Sequence, residues 1–247
     1  MDTNSRIKVI HCQKLHFLYV SVPKCACTSL KHWIYHIEFE REFKDYRLDD
    51  KYIHIHNCGE LNEFQLSRLP EQTKDLKIIT IVRDPILRFI SAYSNRVIHY
   101  KELGAEMPYQ GNIASLGLKF DPDINYFVRH LETYQDCTDK WLIYHHTRPI
   151  SDFIGQDCNL YDRIYRMEEI KQIRSDILQY RLNDGVDQSK IPTISKLQTY
   201  GPKLELNVLN SESFEKLLEY YATDYQLLKD YYSLDNIKEK YMACCSK

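Results

Sequence analysis

Leu15-His16-Phe17-Leu18-Tyr19-Val20-Ser21-Val22-Pro23-Lys24-Cys25-Ala26-Cys27-Thr28-Ser29-Leu30-Lys31 carries two periodicities in succession. Leu15 to Val22 is a short apolar run with β-branched and aromatic residues, which reads as a buried strand. Pro23 ends it. From Thr28 the pattern turns helical, with Leu30, Trp33, Ile34 and Ile37 at i, i+3, i+4 and i+7. The succession returns at Lys77 to Val82, K-I-I-T-I-V, a second buried-type strand broken by Arg83-Asp84-Pro85. Pro85 suits the first turn of a helix, and Ile86, Ile90, Tyr93 and Val97 mark its apolar stripe. Strand, turn and helix thus occur twice, each time with a basic residue at the turn. That alternation implies an α/β layered domain.

Working outward, residues 101–125 hold three of the seven glycines plus Pro108 and Pro122 and read as a long loop. Asn125 to Tyr134 reads as a helix. Asp162 to Met167 reads as a strand, followed by a helix from Glu168 to about Leu182. Phe214, Leu217, Leu218, Tyr221, Tyr225 and Leu228 form one helical stripe whose first duty is core packing. With no repeat and no low-complexity linker, residues 1–247 are expected to form a single domain.

Composition narrows the function classes. Lys plus Arg total 33 and Asp plus Glu 35, a formal charge of −2, which is unlike a nucleic-acid binder with a broad basic surface. The first glycine is Gly59, which argues against a glycine-rich phosphate cradle near the N-terminus. No apolar run is long enough to span a membrane. Met1 to Arg6 is polar, and Lys8, His11 and Lys14 interrupt the apolar residues after it, so no secretory signal is visible. The eight cysteines are then expected to be reduced and buried, in a cytoplasm. Cys25-x-Cys27 and Cys244-Cys245 lack the gaps of common zinc sites, so no metal is expected.

At the first turn, a strand feeds a short loop that opens a helix. A helix N-terminus presents unpaired N–H groups and the positive end of a dipole, so it can hold an anion. Lys24 adds a point charge. Thr28 and Ser29 suit either donation to anionic oxygens or helix N-capping. At the second turn, Arg83 stands at the carboxyl end of a strand, where ligands bind in open α/β sheets, and its planar fork suits a phosphate. Ser91 lies on the second turn of the following helix. Two such anion sites imply a ligand with two separated anionic groups.

These residues carry a resemblance. P-K-C-A-C-T-S-L-K resembles the 5′-phosphosulfate loop of carbohydrate sulfotransferases. V-R-D-P-I-L-R-F-I-S-A-Y-S-N-R resembles their 3′-phosphate motif, with the same Arg-to-Ser spacing. The similarity is to the family of HNK-1 and chondroitin 4-O-sulfotransferases, related to the 2-O-sulfotransferases. Downstream, His146-Thr147-Arg148-Pro149 resembles the family's H-x-R-P-Q, with Ile150 in place of Gln. Tyr165-Arg166-Met167-Glu168 resembles its G-R-F-E, and Tyr221-x-x-Asp224-Tyr225 its C-terminal Y-x-x-D-[FY]. The family's P-H-L-N-x-S survives only as Pro192-Thr193-Ile194-Ser195.

The resemblance implies a P-loop-NTPase-like three-layer α/β fold with a central, mainly parallel sheet. It implies 3′-phosphoadenosine-5′-phosphosulfate (PAPS) as donor and 3′,5′-adenosine bisphosphate (PAP) as product. Lys24, Cys25, Ala26, Cys27, Thr28 and Ser29 would surround the 5′-phosphosulfate, and Arg83 and Ser91 would hold the 3′-phosphate. Sulfuryl transfer to a hydroxyl needs a base and charge neutralisation on the leaving phosphate. Lys24 suits the second task. His56 of His54-Ile55-His56 is the preferred base, at the position of the H-x-H in 2-O-sulfotransferases. The two rings would share one face if the segment is extended. His146 is the other candidate base; with His54 and Arg148 it is assigned to the acceptor side. The expected acceptor is a carbohydrate hydroxyl, with loop 101–125 shaping access. The alternatives are a non-catalytic nucleotide-binding or interaction domain of sulfotransferase ancestry and a P-loop kinase, which would want G-K-[ST] and Mg2+. Eukaryotic relatives carry an N-terminal Golgi anchor, whereas this chain reaches its first strand by about residue 15. A cytoplasmic, bacterial enzyme without stable membrane insertion is therefore expected, with the Golgi lumen as the alternative should an anchor precede Met1.

Overall fold

The computed structural model describes residues 7–180, 187–195 and 200–245. In chain order the strands are β1 (Lys8–Cys12), β2 (Phe17–Val20), β3 (Tyr46–Leu48), β4 (Lys51–Ile53), β5 (Glu63–Gln65), β6 (Lys77–Val82) and β7 (Arg163–Arg166). The α-helices are α1 (Cys27–Phe39), α2 (Pro85–Tyr93), α3 (Gln110–Ser115), α4 (Ile124–Arg129), α5 (Leu131–Cys137), α6 (Ile143–Thr147), α7 (Ser151–Ile154), α8 (Ile170–Tyr180), α9 (Ser211–Tyr220), α10 (Ala222–Leu227) and α11 (Leu234–Cys245). The chain divides into two compact units, Met1–Val82 with Phe153–Thr199, and Arg83–Asp152 with Tyr200–Lys247.

The first unit holds a five-stranded sheet in the order β5-β1-β2-β6-β7 and the small hairpin β3-β4. β2 and β6 pair in parallel, with Val20 opposite Thr80, and β6 pairs in parallel with β7, with Thr80 opposite Ile164. All four residues of β2 are buried, as are Ile79 to Val82 of β6. A strand flanked on both edges and covered on both faces needs such a continuous apolar run. The expectation of a mainly parallel sheet is corrected, because β1 pairs antiparallel with both β2 and β5. The physical reason is the short turn between β1 and β2. Four residues suffice for an antiparallel return but not for a parallel crossover. β1 was hidden by Lys8 and His11, which break its apolar pattern. α1 buries Leu30, Trp33, Ile34 and Ile37, the stripe expected from the sequence. Trp33 packs against Phe17 and donates from Nε1 to the Pro192 carbonyl oxygen at 2.7 Å.

The second unit is helical among its described residues. Its core joins Phe89 of α2, Phe127 of α4, Tyr134 of α5, Leu217 of α9 and Tyr221. Phe89 stacks on Phe127 at 5.7 Å, and Phe214 on Tyr241 at 3.9 Å. After α2 the chain continues as a π-helical turn, Ser94–His99. Residues 101–125 are not an open loop. They contain α3, and Leu103, Ile113 and Leu118 anchor them in the core. The helix expected over 125–134 is broken at His130 into α4 and α5, and the 214–228 stripe is shared by α9 and α10. The helix expected after Glu168 opens with a 3-10 turn and continues as α8, while Leu182 lies outside the described residues. All eight cysteines are free thiols, but only Cys12, Cys25 and Cys137 are buried, so the expectation of burial fails for the other five. Of these, Cys244 still packs against the core of the second unit.

Candidate active site

In the first unit the site is built on the turn between β2 and α1. Lys24 and Ala26 both take left-handed backbone conformations, with φ of +65° and +56°. Cys25, between them, is buried and donates its N–H to the Val22 carbonyl oxygen at 3.3 Å. L-residues pay about 1–2 kcal/mol for that conformation, and strain of this kind concentrates at functional sites. The Cys25 N–H is spent on Val22, so the donors this turn offers an anion are those that open α1. Ala26 is the N-cap of α1 and supplies no side-chain cap, and no acidic residue occupies the first turn. The helix start is therefore electropositive and uncapped by side chains. Cys27 opens the helix, half-buried, and Lys24 is half-buried beside the turn. Thr28 and Ser29 fall inside the first turn, both buried, so the N-cap role open to them in the sequence is not the one they take. Lys31, one turn on, is committed to Glu63 at 3.1 Å.

Thr28 Oγ1 lies 2.9 Å from His56 Nε2. His56 is exposed, while Ile55 beside it is 2% exposed and anchors the segment. The segment is not extended. Asn57 N–H donates to the His54 carbonyl oxygen, and Asn57 Oδ1 accepts from the His54 N–H, closing a turn. The shared face expected from extension is thus replaced by a different contact. His56 N–H donates to His54 Nδ1 at 3.1 Å, and the rings meet edge to face at 5.6 Å. His54 therefore carries its ring proton on Nε2. His32 of α1 faces the same cluster. Burial pushes its imidazole below the ordinary histidine value, the charge of His56 acts in the same direction, and Asp45 and Glu42 oppose it.

In the second unit, Arg83 is half-buried immediately before Asp84, and Ser91 is half-buried on the second turn of α2. Asp84 caps α2, with Oδ1 accepting from the N–H groups of Ile86 at 3.1 Å and Leu87 at 3.0 Å. Tyr225 donates its hydroxyl to the same carboxylate at 3.1 Å. Burial raises the Asp84 pKa, against the pull of those donors. Arg88, wholly buried on α2, donates to the carbonyl oxygens of His146, at 3.0 Å, and Arg148. Tyr221 donates to the Thr147 carbonyl oxygen. Asp224 accepts from the N–H groups of Ile150 at 2.6 Å and Ser151 at 2.9 Å. Segment 146–151 is thus held from three directions by buried polar side chains.

That arrangement assigns work to residues the sequence had shown only as apolar periodicity or as motif letters, namely Arg88, Tyr221, Asp224 and Tyr225. The available signal was a charged residue between Leu87 and Phe89 on an apolar helix face. His146 is buried, and its Nδ1 lies 2.6 Å from the Leu142 carbonyl oxygen. A carbonyl only accepts, so Nδ1 carries the proton, and Nε2 accepts from Arg96 Nη2 at 2.6 Å. Arg96 in turn pairs with Glu102 at 2.8 Å. His146 is therefore built into a hydrogen-bonded network. Arg148 is half-buried, with its guanidinium 5.5 Å from the centre of the Tyr144 ring.

The first unit thus presents a left-handed strand–turn–helix carrying a lysine and backed by histidine, the second a capped Arg-Asp-Pro turn, and the mixed sheet with its helices makes the chain an α/β protein. The sequence matches the sulfotransferase family over residues 8–233, through both units, and the chain belongs to that family. Neither a curated protein nor a solved structure matches it. Among the described residues no cluster of three His, Cys, Asp or Glu side chains could hold a metal, and no helix is long and apolar enough to cross a membrane.

Proposed function

We propose that the chain is a carbohydrate sulfotransferase that moves a sulfuryl group from PAPS to a hydroxyl of a glycan. On this reading it falls in the HNK-1 and chondroitin 4-O branch, as one P-loop-like, three-layer domain over residues 1–247 acting in a cytoplasm. The observation that carries this is the turn Lys24–Ser29, uncapped and left-handed at two L-residues, with Thr28 hydrogen-bonded to the exposed His56. Lys24 and the first N–H groups of α1 hold the 5′-phosphosulfate, with Cys25, Ala26, Cys27, Thr28 and Ser29 around it. Arg83 and Ser91 hold the 3′-phosphate. His56 Nε2 takes the proton of the acceptor hydroxyl as its oxygen bonds to sulfur. Lys24 and the helix N–H groups neutralise the charge left on the bridging phosphate oxygen as the sulfur–oxygen bond breaks. His54 and Arg148 serve the acceptor. His146, held by Arg96 and Leu142, positions the segment that carries Arg148. The alternative of a domain that has lost its chemistry rested partly on Ile150 in place of glutamine. Ile150 is wholly buried with its N–H on Asp224, so the change is met by packing.

A thermal-shift panel with PAP, ATP with Mg2+, and zinc tests the reading. A ligand at about 100 times its dissociation constant stabilises by about 2.7 kcal/mol. PAP is expected to raise the melting temperature the most. No shift with PAP, or a larger one with ATP and Mg2+, overturns the proposal.

A further inference from the structure

Trp141 is 68% exposed, while the other tryptophan, Trp33, is 3% exposed. Tryptophan is among the residues most buried on average, so one this open calls for a reason. It does not stand alone. Tyr144 and His145 on α6, Trp141 before it and Arg148 after it are exposed or half-buried, whereas Ile143, His146 and Thr147 between them are buried. The solvent face of this turn is therefore three rings and a guanidinium instead of the lysines and glutamates usual there. The rings are arranged. Trp141 and His145 lie 5.2 Å apart, and the Arg148 guanidinium sits over Tyr144. The backbone beneath is fixed. Asp139 Oδ1 accepts from Trp141 N–H at 2.8 Å, and Arg88 and Tyr221 hold the Arg148 and Thr147 carbonyl oxygens.

We propose that the Trp141–Tyr144–His145–Arg148 face is a saccharide subsite that seats the acceptor. The proposal rests on the glycan-sulfotransferase reading above and adds Trp141, Tyr144 and His145 to its acceptor side. A pyranose presents a C–H face that packs on an indole and rim hydroxyls that hydrogen-bond. His145 stands beside the Trp141 ring, and Arg148 and the Tyr144 hydroxyl, the latter 3.5 Å from Asp152 Oδ2, are the further polar groups of the face. A protein partner would need about 800 Å² on each side, more than four side chains offer.

The test is a printed array of neutral and uronate-containing oligosaccharides, probed with labelled wild-type protein, Trp141→Ala and Trp141→Phe at saturating PAP. Sulfate-transfer kinetics are then measured on the best-bound saccharide. Trp141→Ala is expected to weaken binding and raise the acceptor KM by about tenfold or more. The KM for PAPS and kcat should stay within about twofold, and Trp141→Phe should recover most of the loss. Its exposure makes a folding failure detectable as a separate drop in melting temperature. Equal binding by wild type and Trp141→Ala overturns the subsite, as does a wild type that binds no saccharide. In that second case a PAP-induced melting shift would leave the donor reading standing. Saccharide retention that depends on Trp141 without any PAP shift would do the reverse, keeping the subsite and removing the sulfotransferase reading. Self-association lost in Trp141→Ala on sedimentation would make a second copy the occupant and also overturn it.

Discussion

His56 and His146 differ in what surrounds their ring nitrogens, and that difference predicts two kinds of mutant. His56 is exposed, with Nε2 at 2.9 Å from Thr28 Oγ1 on the first turn of α1. His146 is buried, with one nitrogen on the Leu142 carbonyl oxygen and the other accepting from Arg96. His56→Ala is expected to lower turnover by about 10²–10⁴, the usual worth of a general base, while the PAP melting shift persists. His146→Ala removes an acceptor from the half-buried Arg96 guanidinium and is expected to cost stability, about 1–3 kcal/mol, read from the urea midpoint. Turnover kept in the first variant and lost in the second, with stability intact, would move the base to His146. At this scale the sequence was legible for residue types and less so for backbone. The absence of glycine before Gly59 excludes glycine-dependent loops only. Lys24 and Ala26 adopt the left-handed conformation that glycine takes without strain, and nothing local in their identities announces it.

At the scale of elements, α2 begins on one buried carboxylate. Asp84 serves two N–H groups and the Tyr225 hydroxyl, and burial together with the Asp84 charge raises the Tyr225 pKa. Asp84→Ala removes the cap, worth about 1–2 kcal/mol, and leaves the Tyr225 hydroxyl without its acceptor. Tyr225→Phe removes a donor from a buried carboxyl group and is expected to cost about 1–3 kcal/mol. Because both changes break one contact, the double variant should cost less than the two single costs added, as read from urea unfolding. Strict additivity would show that the contact contributes nothing. β6 and the start of α2 were readable because an apolar run and an Asp-Pro pair signal them locally. Tyr221, Asp224 and Tyr225 read as core stripe because their apolar period is local, while their polar ends reach Thr147, Ile150 and Asp84 across long sequence separations. β1 was missed for the opposite reason. Its pairing with β2 and β5 overrides a pattern broken by Lys8 and His11. The His54–Asn57 turn depends on one asparagine side chain, a signal outweighed by the apolar Ile53 and Ile55 around it.

For the molecule as a whole, the tyrosines set an alkaline limit. Among the described residues, eleven tyrosines have a phenol pushed above its ordinary value, each mainly by burial. Tyr93, Tyr109 and Tyr241 are pushed up to about 12. Such phenols keep their protons in the folded chain at a pH where the unfolded chain, with a value of about 10, has lost them. The folded state then binds more protons than the unfolded one, so stability falls as pH rises from about 10 toward the folded values and is untouched by these groups near neutrality. The buried Asp84 and Asp224, also raised, have the same sign at the acid end. Their contribution falls as pH rises through the carboxylate range, so they do not drive acid unfolding. Both compact units carry raised tyrosines, Tyr161 and Tyr165 in the first and Tyr93 and Tyr221 in the second. Neither is expected to survive the alkaline range alone. Titration from neutral pH upward, monitored at once by tyrosinate absorbance and near-ultraviolet circular dichroism, should show the buried phenols ionising in one steep step as the aromatic dichroism collapses. Their ionisation one by one, with the dichroism of the folded state retained to about pH 12, would mean that these rings are reached by solvent without unfolding and that burial is not what holds their protons.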